Sequence, residues 1–152
     1  MEEIINLLHI AASKNIYINY TNEKISFISS NDDNNDLKQK LEQNKIIIEN
    51  IYKENKGLPI AMPLSYEQRA LWSIQQLHPN MASYNIVFPM KVNTEVDVDL
   101  LNRAMDNITQ KYPILRVRFN ELDGAPYQEL QKNIKYTINS LNREVKTWKS
   151  RN

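Results

Sequence analysis

Two runs of alternating side chains stand near the start of the chain. In the first, Ile16, Ile18 and Tyr20 fall on one face and Tyr17 and Asn19 on the other. In the second, Ile25, Phe27 and Ser29 alternate with Lys24, Ser26 and Ile28. Thr21-Asn22-Glu23 between them is turn material, so the pattern predicts a β-hairpin. Two strands are marginal alone in water, and this hairpin needs helical cover on one face. The helices seek apolar contact, which predicts Ile25 and Phe27 inward and Lys24, Ser26 and Ile28 outward.

The flanking patterns supply that cover. Over residues 2–14, Ile4, Ile5, Leu7, Leu8, Ala11 and Ala12 recur at helical spacing, and Asn15 is a natural left-handed stop. Over 37–55 the apolar set is Leu37, Leu41, Ile47, Ile48, Ile51 and Tyr52, with a slip at Gln43-Asn44 that predicts two short helices. Asn35 or Asp36 is placed to cap the first of them. The order is therefore α-β-β-α-α, in a segment predicted to span 1–56. Gly57 and Pro59 then break the pattern, and 57–63 reads as a linker.

A second segment opens at 64. Ser65 followed by Gln68 forms a capping box for a helix starting at Tyr66 and carrying Leu71, Trp72, Ile74 and Leu77. Residues 84–92 read as a strand, with Pro89 arguing for an edge or bulge. Asp97 or Asp99 caps a further helix with Leu100, Leu101, Ala104, Met105 and Ile108 on one face. Residues 114–119 alternate as a strand, Asp123-Gly124 signals a tight turn, and 127–138 supply one or two more strands. Residues 139–152 are polar. The fold class is α+β.

Composition narrows the function. The 152 residues hold 19 Lys plus Arg and 18 Asp plus Glu, and residues 1–56 carry seven basic against nine acidic side chains. That balance disfavours a winged helix-turn-helix reading for DNA. No cysteine is present and glycine numbers two, which removes thiolate chemistry and glycine-rich phosphate loops, so no cofactor is expected. The start of the chain is acidic before a short apolar run and does not read as a secretory signal or a membrane span, so the expected compartment is the cytoplasm.

Residues 63 to about 131 resemble the beginning of a condensation domain of nonribosomal peptide synthetases. The first core motif of that family, S-x-A-Q-x-R-L-W-x-L, is matched by Ser65-Tyr66-Glu67-Gln68-Arg69-Ala70-Leu71-Trp72-Ser73-Ile74. The second, R-H-x-x-L-R-T-x-F, is matched by Lys111-Tyr112-Pro113-Ile114-Leu115-Arg116-Val117-Arg118-Phe119, with Lys-Tyr in place of Arg-His and Val in place of Thr. Tyr84-Asn85-Ile86 and Gly124-Ala125-Pro126-Tyr127-Gln128 fall where the family has similar strings. The resemblance implies a chloramphenicol-acetyltransferase-like fold, here an incomplete α/β fragment over 64–152. The family's catalytic H-H-x-x-x-D-G string does not occur, and the two histidines are His9 and His78. The expectation is that the chain is not an enzyme; the alternative is a piece of an enzyme forming amide bonds between carrier-protein-bound intermediates.

The first 55 residues resemble the small N-terminal docking domains of the tubulysin-synthetase type, through LLHIAASKNIYINYTNEKISFIS and DLKQKLEQNKIIIENIYKE. That resemblance implies a partner, the C-terminal tail of an upstream synthetase subunit, added as a strand to the second hairpin strand, with no nucleic acid and no membrane involved. Backbone pairing gives such a site affinity and alternate side chains give selectivity. The residues expected to bind are Lys24, Ile25, Ser26, Phe27, Ile28 and Ser29, with Lys38 and Lys24 facing an acidic tail. The competing reading is an edge strand that only closes a small core, guarded by Lys24. A proline at Lys24 or Ser26, whichever amide faces the partner, is expected to abolish docking. His9 is expected to be a partly buried helix residue, Trp72 to lie in the core, Arg69 to have a fold-holding role, and Arg116 and Arg118 to lie on a solvated strand face.

Overall fold

The computed structural model describes residues 1–29, 34–132 and 134–138. The polar reading of 139–152 lies outside the described residues. The chain is α+β. It opens with α1 (Glu2–Ser13), β1 (Ile16–Thr21), β2 (Lys24–Ser29), α2 (Asn35–Gln43) and α3 (Lys45–Glu54). There follow β3 (Ala61–Pro63), α4 (Tyr66–Leu77), α5 (Val98–Lys111), a 3-10 turn (Pro113–Arg116), β4 (Val117–Leu122) and β5 (Ala125–Leu130).

The helix α1 stops where Asn15 enters the left-handed region at φ 59°. β1 and β2 pair antiparallel from Ile16↔Ser29 to Thr21↔Lys24. Asn22 and Glu23 between them both have positive φ, 53° and 61°, as a two-residue type I′ turn requires. The inward set closes a core of Leu8, Ala11, Ile16, Ile25, Leu41, Ile48, Ile51, Tyr52 and Ile60. Helices α2 and α3 meet at Asn44, where the apolar spacing slips. Asn34 precedes α2 with no side-chain cap bond, and its side-chain amide donates instead to the Lys14 carbonyl at 3.3 Å. Capping by Asn35 or Asp36 therefore does not occur, because both already lie inside the helix.

α3 ends in a Schellman turn: Gly57 N–H donates to Tyr52 O at 2.7 Å and Lys56 N–H to Lys53 O at 3.1 Å. Gly57 sits at φ +77°, and a Cβ there would stand 3.4 Å from the Tyr20 ring. Within 57–63, the stretch expected to link the two segments, Ile60 belongs to the first core and Ala61–Pro63 forms β3.

The second sheet has the order β3-β5-β4, all antiparallel. Its hairpin turns at Asp123 (φ 50°) and Gly124 (φ 76°), the pair the sequence marked. Ser65 and Gln68 form the expected capping box of α4, and Asp97 caps α5 through Leu100 N–H at 2.9 Å. Residues 84–92 do not form a strand: Ile86, Val87, Phe88 and Met90 are all exposed, and among the described residues no neighbouring strand takes up their backbone bonds. The strand expected over 114–119 begins only at Val117, because Pro113 starts a 3-10 turn.

One helix serves both sheets. α1 buries Leu8 and Ala11 in the first core, while Ala12 packs with Ala61 and Tyr127. The His9 ring stacks on Tyr127 at 5.2 Å, and its Nε2 lies enclosed 3.7 Å from a Glu129 carboxylate oxygen. Burial and the neighbouring Glu129 charge raise the Tyr127 phenol above its usual pKa. Arg69 on α4 donates to the Asn15 side chain at 2.6 Å, so it does tie the fold together.

Candidate functional site

The hairpin has two edges, and the structure distinguishes them. β1 lies against β3. Among the described residues no strand pairs with the outer side of β2, since the first sheet holds β1 and β2 alone.

Which β2 groups face outward follows from the turn. In a two-residue hairpin the closing pair exchanges both backbone bonds, and bonded pairs alternate from there. Thr21↔Lys24, Asn19↔Ser26 and Tyr17↔Ile28 are the bonded pairs of this register. The backbone groups of Lys24, Ser26 and Ile28 therefore point to β1, and those of Ile25, Phe27 and Ser29 point away from it. A proline at Lys24 or Ser26 would consequently break the hairpin rather than test docking; the expectation for those two positions is corrected by the register.

Side chains follow the opposite division. Ile25 is buried and Phe27 half-buried against the core, while Lys24, Ser26 and Ile28 are exposed. Ile28 is 56 % exposed and its cross-strand partner Tyr17 46 %, which makes an apolar pair on the open face of the hairpin.

α3 runs beside β2 and supplies a row that sequence reasoning missed. The Lys45 ammonium stands 5.8 Å from the centre of the Phe27 ring. Glu49 Oε1 accepts the Ile25 N–H at 3.1 Å. Lys53 pairs with Glu23 at 3.3 Å. Four helical residues and two strand residues both rise about 6 Å, so positions 45, 49 and 53 keep step with 27, 25 and 23. That four-residue spacing of charges was legible in the sequence; its partner strand was not. Lys38 lies half-buried on α2.

Among the described residues no three His, Asp or Glu side chains are placed to hold a metal ion. A largely apolar concavity of about 290 Å³ is lined by Gln68, Leu71, Trp72, Gln75, Tyr84 and Phe119. Trp72 is half-buried in its wall rather than in the core. Gln128 is buried and donates to the Pro63 carbonyl at 2.9 Å and to the Gln68 side chain at 2.9 Å, so the capping box is fastened to the sheet. Arg116 is not on a solvated strand face: its guanidinium donates to the carbonyls of Thr109 and Gln131. Arg118 is exposed.

The family model for the condensation domain matches residues 61–151. The chain belongs to the condensation-domain family. The match begins at the first residue of β3. A probable non-canonical nonribosomal peptide synthetase, CymA, of Salinispora arenicola (strain CNS-205) is 38 % identical over 72 residues, covering 47 % of this chain and 1 % of that protein. Bacitracin synthase 3 of Bacillus licheniformis is 33 % identical over 75 residues, 49 % of this chain and 1 % of its own length. Surfactin synthase subunit 2 of Bacillus subtilis (strain 168) is 33 % identical over 76 residues, 50 % of this chain and 2 % of its own length. This chain thus spans a few per cent at most of the curated relatives it matches. No solved structure matches it significantly. Membership in the condensation-domain family, with synthases as relatives, overturns the expectation that the chain is not an enzyme: that expectation rested on one string missing from a stretch this short. No described helix is long and apolar enough to cross a membrane.

Proposed function

We propose that residues 1–56 are a docking domain of a nonribosomal peptide synthetase subunit, joined through 57–63 to a condensation domain that occupies 64–152 here. The docking domain takes the C-terminal tail of an upstream subunit as a third strand on β2. The observation that carries this reading is the outer edge of β2, where Ile25 and Phe27 turn their backbone groups away from β1. Two further observations support it. The segment stands directly before the condensation-family match at 61, and one relative, the surfactin synthase protein, is named as a subunit. Each backbone bond to an added strand contributes about 0.5–1.5 kcal/mol net, so a short ladder gives weak, reversible association. Lys24 and Lys38 tune the choice of tail toward acidic partners more than they create affinity, since exposed ion pairs are worth at most about 1 kcal/mol.

The second segment contributes, on the same reading, to amide-bond formation between carrier-protein-bound intermediates in the whole protein. Family membership favours this, with α4, α5, β4 and β5 as the opening of a chloramphenicol-acetyltransferase-like fold. The cytoplasm is the compartment this reading assigns.

The test is an NMR titration of the full chain with C-terminal peptides of upstream synthetase subunits. The expected result is a set of amide shifts largest at Phe27 and its β2 neighbours. Shifts confined to a helix face would replace strand addition by another contact. No shift with any tail would remove the docking reading.

A further inference from the structure

The edge that would receive a strand is partly closed by the chain itself. Ile25 is the first β2 residue whose backbone points outward, and its N–H is held by the Glu49 carboxylate at 3.1 Å. A carboxylate accepts such a bond more strongly than a neutral carbonyl does. Glu49 is half-buried on α3, beside the strand rather than in it. With Ile25 engaged, an added strand could not pair along the full outward edge. It would lose the position at the turn end of the ladder.

We propose that Glu49 is a built-in competitor for the docking edge: it holds the Ile25 N–H in the free protein and yields it to a backbone carbonyl of the incoming tail. This deepens the docking reading and rests on it. Release does not strand the carboxylate. Lys45 and Lys53 lie four residues before and after it on α3, the spacing at which helical ion pairs form. Lys45 stands over Phe27 and pairs with Glu42 at 3.1 Å, and Lys53 pairs with Glu23 at 3.3 Å; both of those acids are exposed and turn to water when Glu49 takes a cation. Exchange of the Ile25 bond therefore trades one partner for another at each group, and the competition keeps the edge selective for tails that offer a full ladder. It also guards the edge against unrelated strands, a hazard of any open sheet border.

The experiment uses the full chain as wild type, Glu49→Ala and Glu49→Gln. Hydrogen exchange of the Ile25 amide is read first. In Glu49→Ala it accelerates at least about tenfold, the loss expected for a bond to a charged acceptor, while Ser26 and Ile28, bonded to β1, keep their rates. Glu49→Gln falls between, because its side-chain oxygen still accepts. The affinity for a tail peptide that shifts the wild-type protein is read second, and Glu49→Ala binds it about tenfold more tightly by the same reckoning. Unchanged Ile25 exchange, or equal or weaker tail binding, overturns the competition. A tail that binds wild type and Glu49→Ala equally leaves docking standing and removes only this inference. Tails that bind neither protein remove the docking reading, and the competition with it.

Discussion

The register of β2 makes a sharp prediction for two neighbouring prolines. Ser26 N–H is directed at Asn19 across the ladder, and Phe27 N–H is directed outward. Ser26→Pro removes one ladder bond, about 1 kcal/mol, and drives the proline ring against the Asn19 carbonyl that the N–H had bonded. The expected loss is about 2–4 kcal/mol, a large part of the stability of a domain this small. Phe27→Pro removes no ladder bond. Its cost is the half-buried ring, about half of the 1.5–3 kcal/mol for full burial, plus the Lys45 contact at 5.8 Å. Phe27→Leu is the control, since it loses the aromatic contact and keeps the amide. Urea unfolding of the full chain should rank Ser26→Pro as the most damaging of the three. Tail titration should then show binding retained by Phe27→Leu and lost by Phe27→Pro. A Phe27→Pro protein that binds tails as well as Phe27→Leu would refute strand addition. A Ser26→Pro protein as stable as Phe27→Pro would refute the register from which both predictions come.

Three further outcomes follow from the same geometry. Glu23 occupies a left-handed position at φ 61° that costs an L-residue about 1–2 kcal/mol, so Glu23→Gly should raise the melting temperature despite losing the exposed Lys53 pair. Gln128→Leu leaves the Pro63 carbonyl and the Gln68 Nε2 without their partner, while Gln68 Oε1 keeps the Ser65 N–H, and should lower unfolding free energy by about 1–3 kcal/mol for each group left unpaired. Burial raises the Tyr52 phenol well above the usual tyrosine range. The folded state therefore keeps a proton that the unfolded chain releases near pH 10, and stability measured by urea titration should fall as pH rises past about 10.

The hairpin, the helix break at Asn44 and the Asp123-Gly124 turn were legible in the sequence because each is a local signal. Alternation fixes which side chains of β2 face inward, and Ile25 and Phe27 do. Alternation does not fix which amides face outward, because that depends on where the bonded pairs fall, and a two-residue turn closing at Thr21↔Lys24 decides it. Glu49 escaped notice for a related reason. A single acid on the polar side of a helix looks solvated until the helix is laid beside a strand edge. The strand expected at 84–92 failed because apolar alternation needs a partner strand to become structure, and none pairs there among the described residues. The resemblances of residues 63–131 to the condensation family carried what local patterns could not.

α1 couples the two sheets. Consecutive helical residues point about 100° apart, so Ala11 and Ala12 can enter different cores, and they do. Ile60 extends this coupling from the other side, lying in the first core while its carbonyl accepts Leu130 N–H of the second sheet at 2.8 Å. A flexible tether would let a docked tail sample a wide volume around the condensation domain. Here the edge of β2 and the sheet β3-β5-β4 share a helix, a stacked His9–Tyr127 pair and the Arg69–Asn15 bond. A tail seated on β2 would therefore be held at a set place relative to the condensation sheet. On the proposed docking reading, selectivity at that edge governs not only which tail is taken up but where its last residues are held.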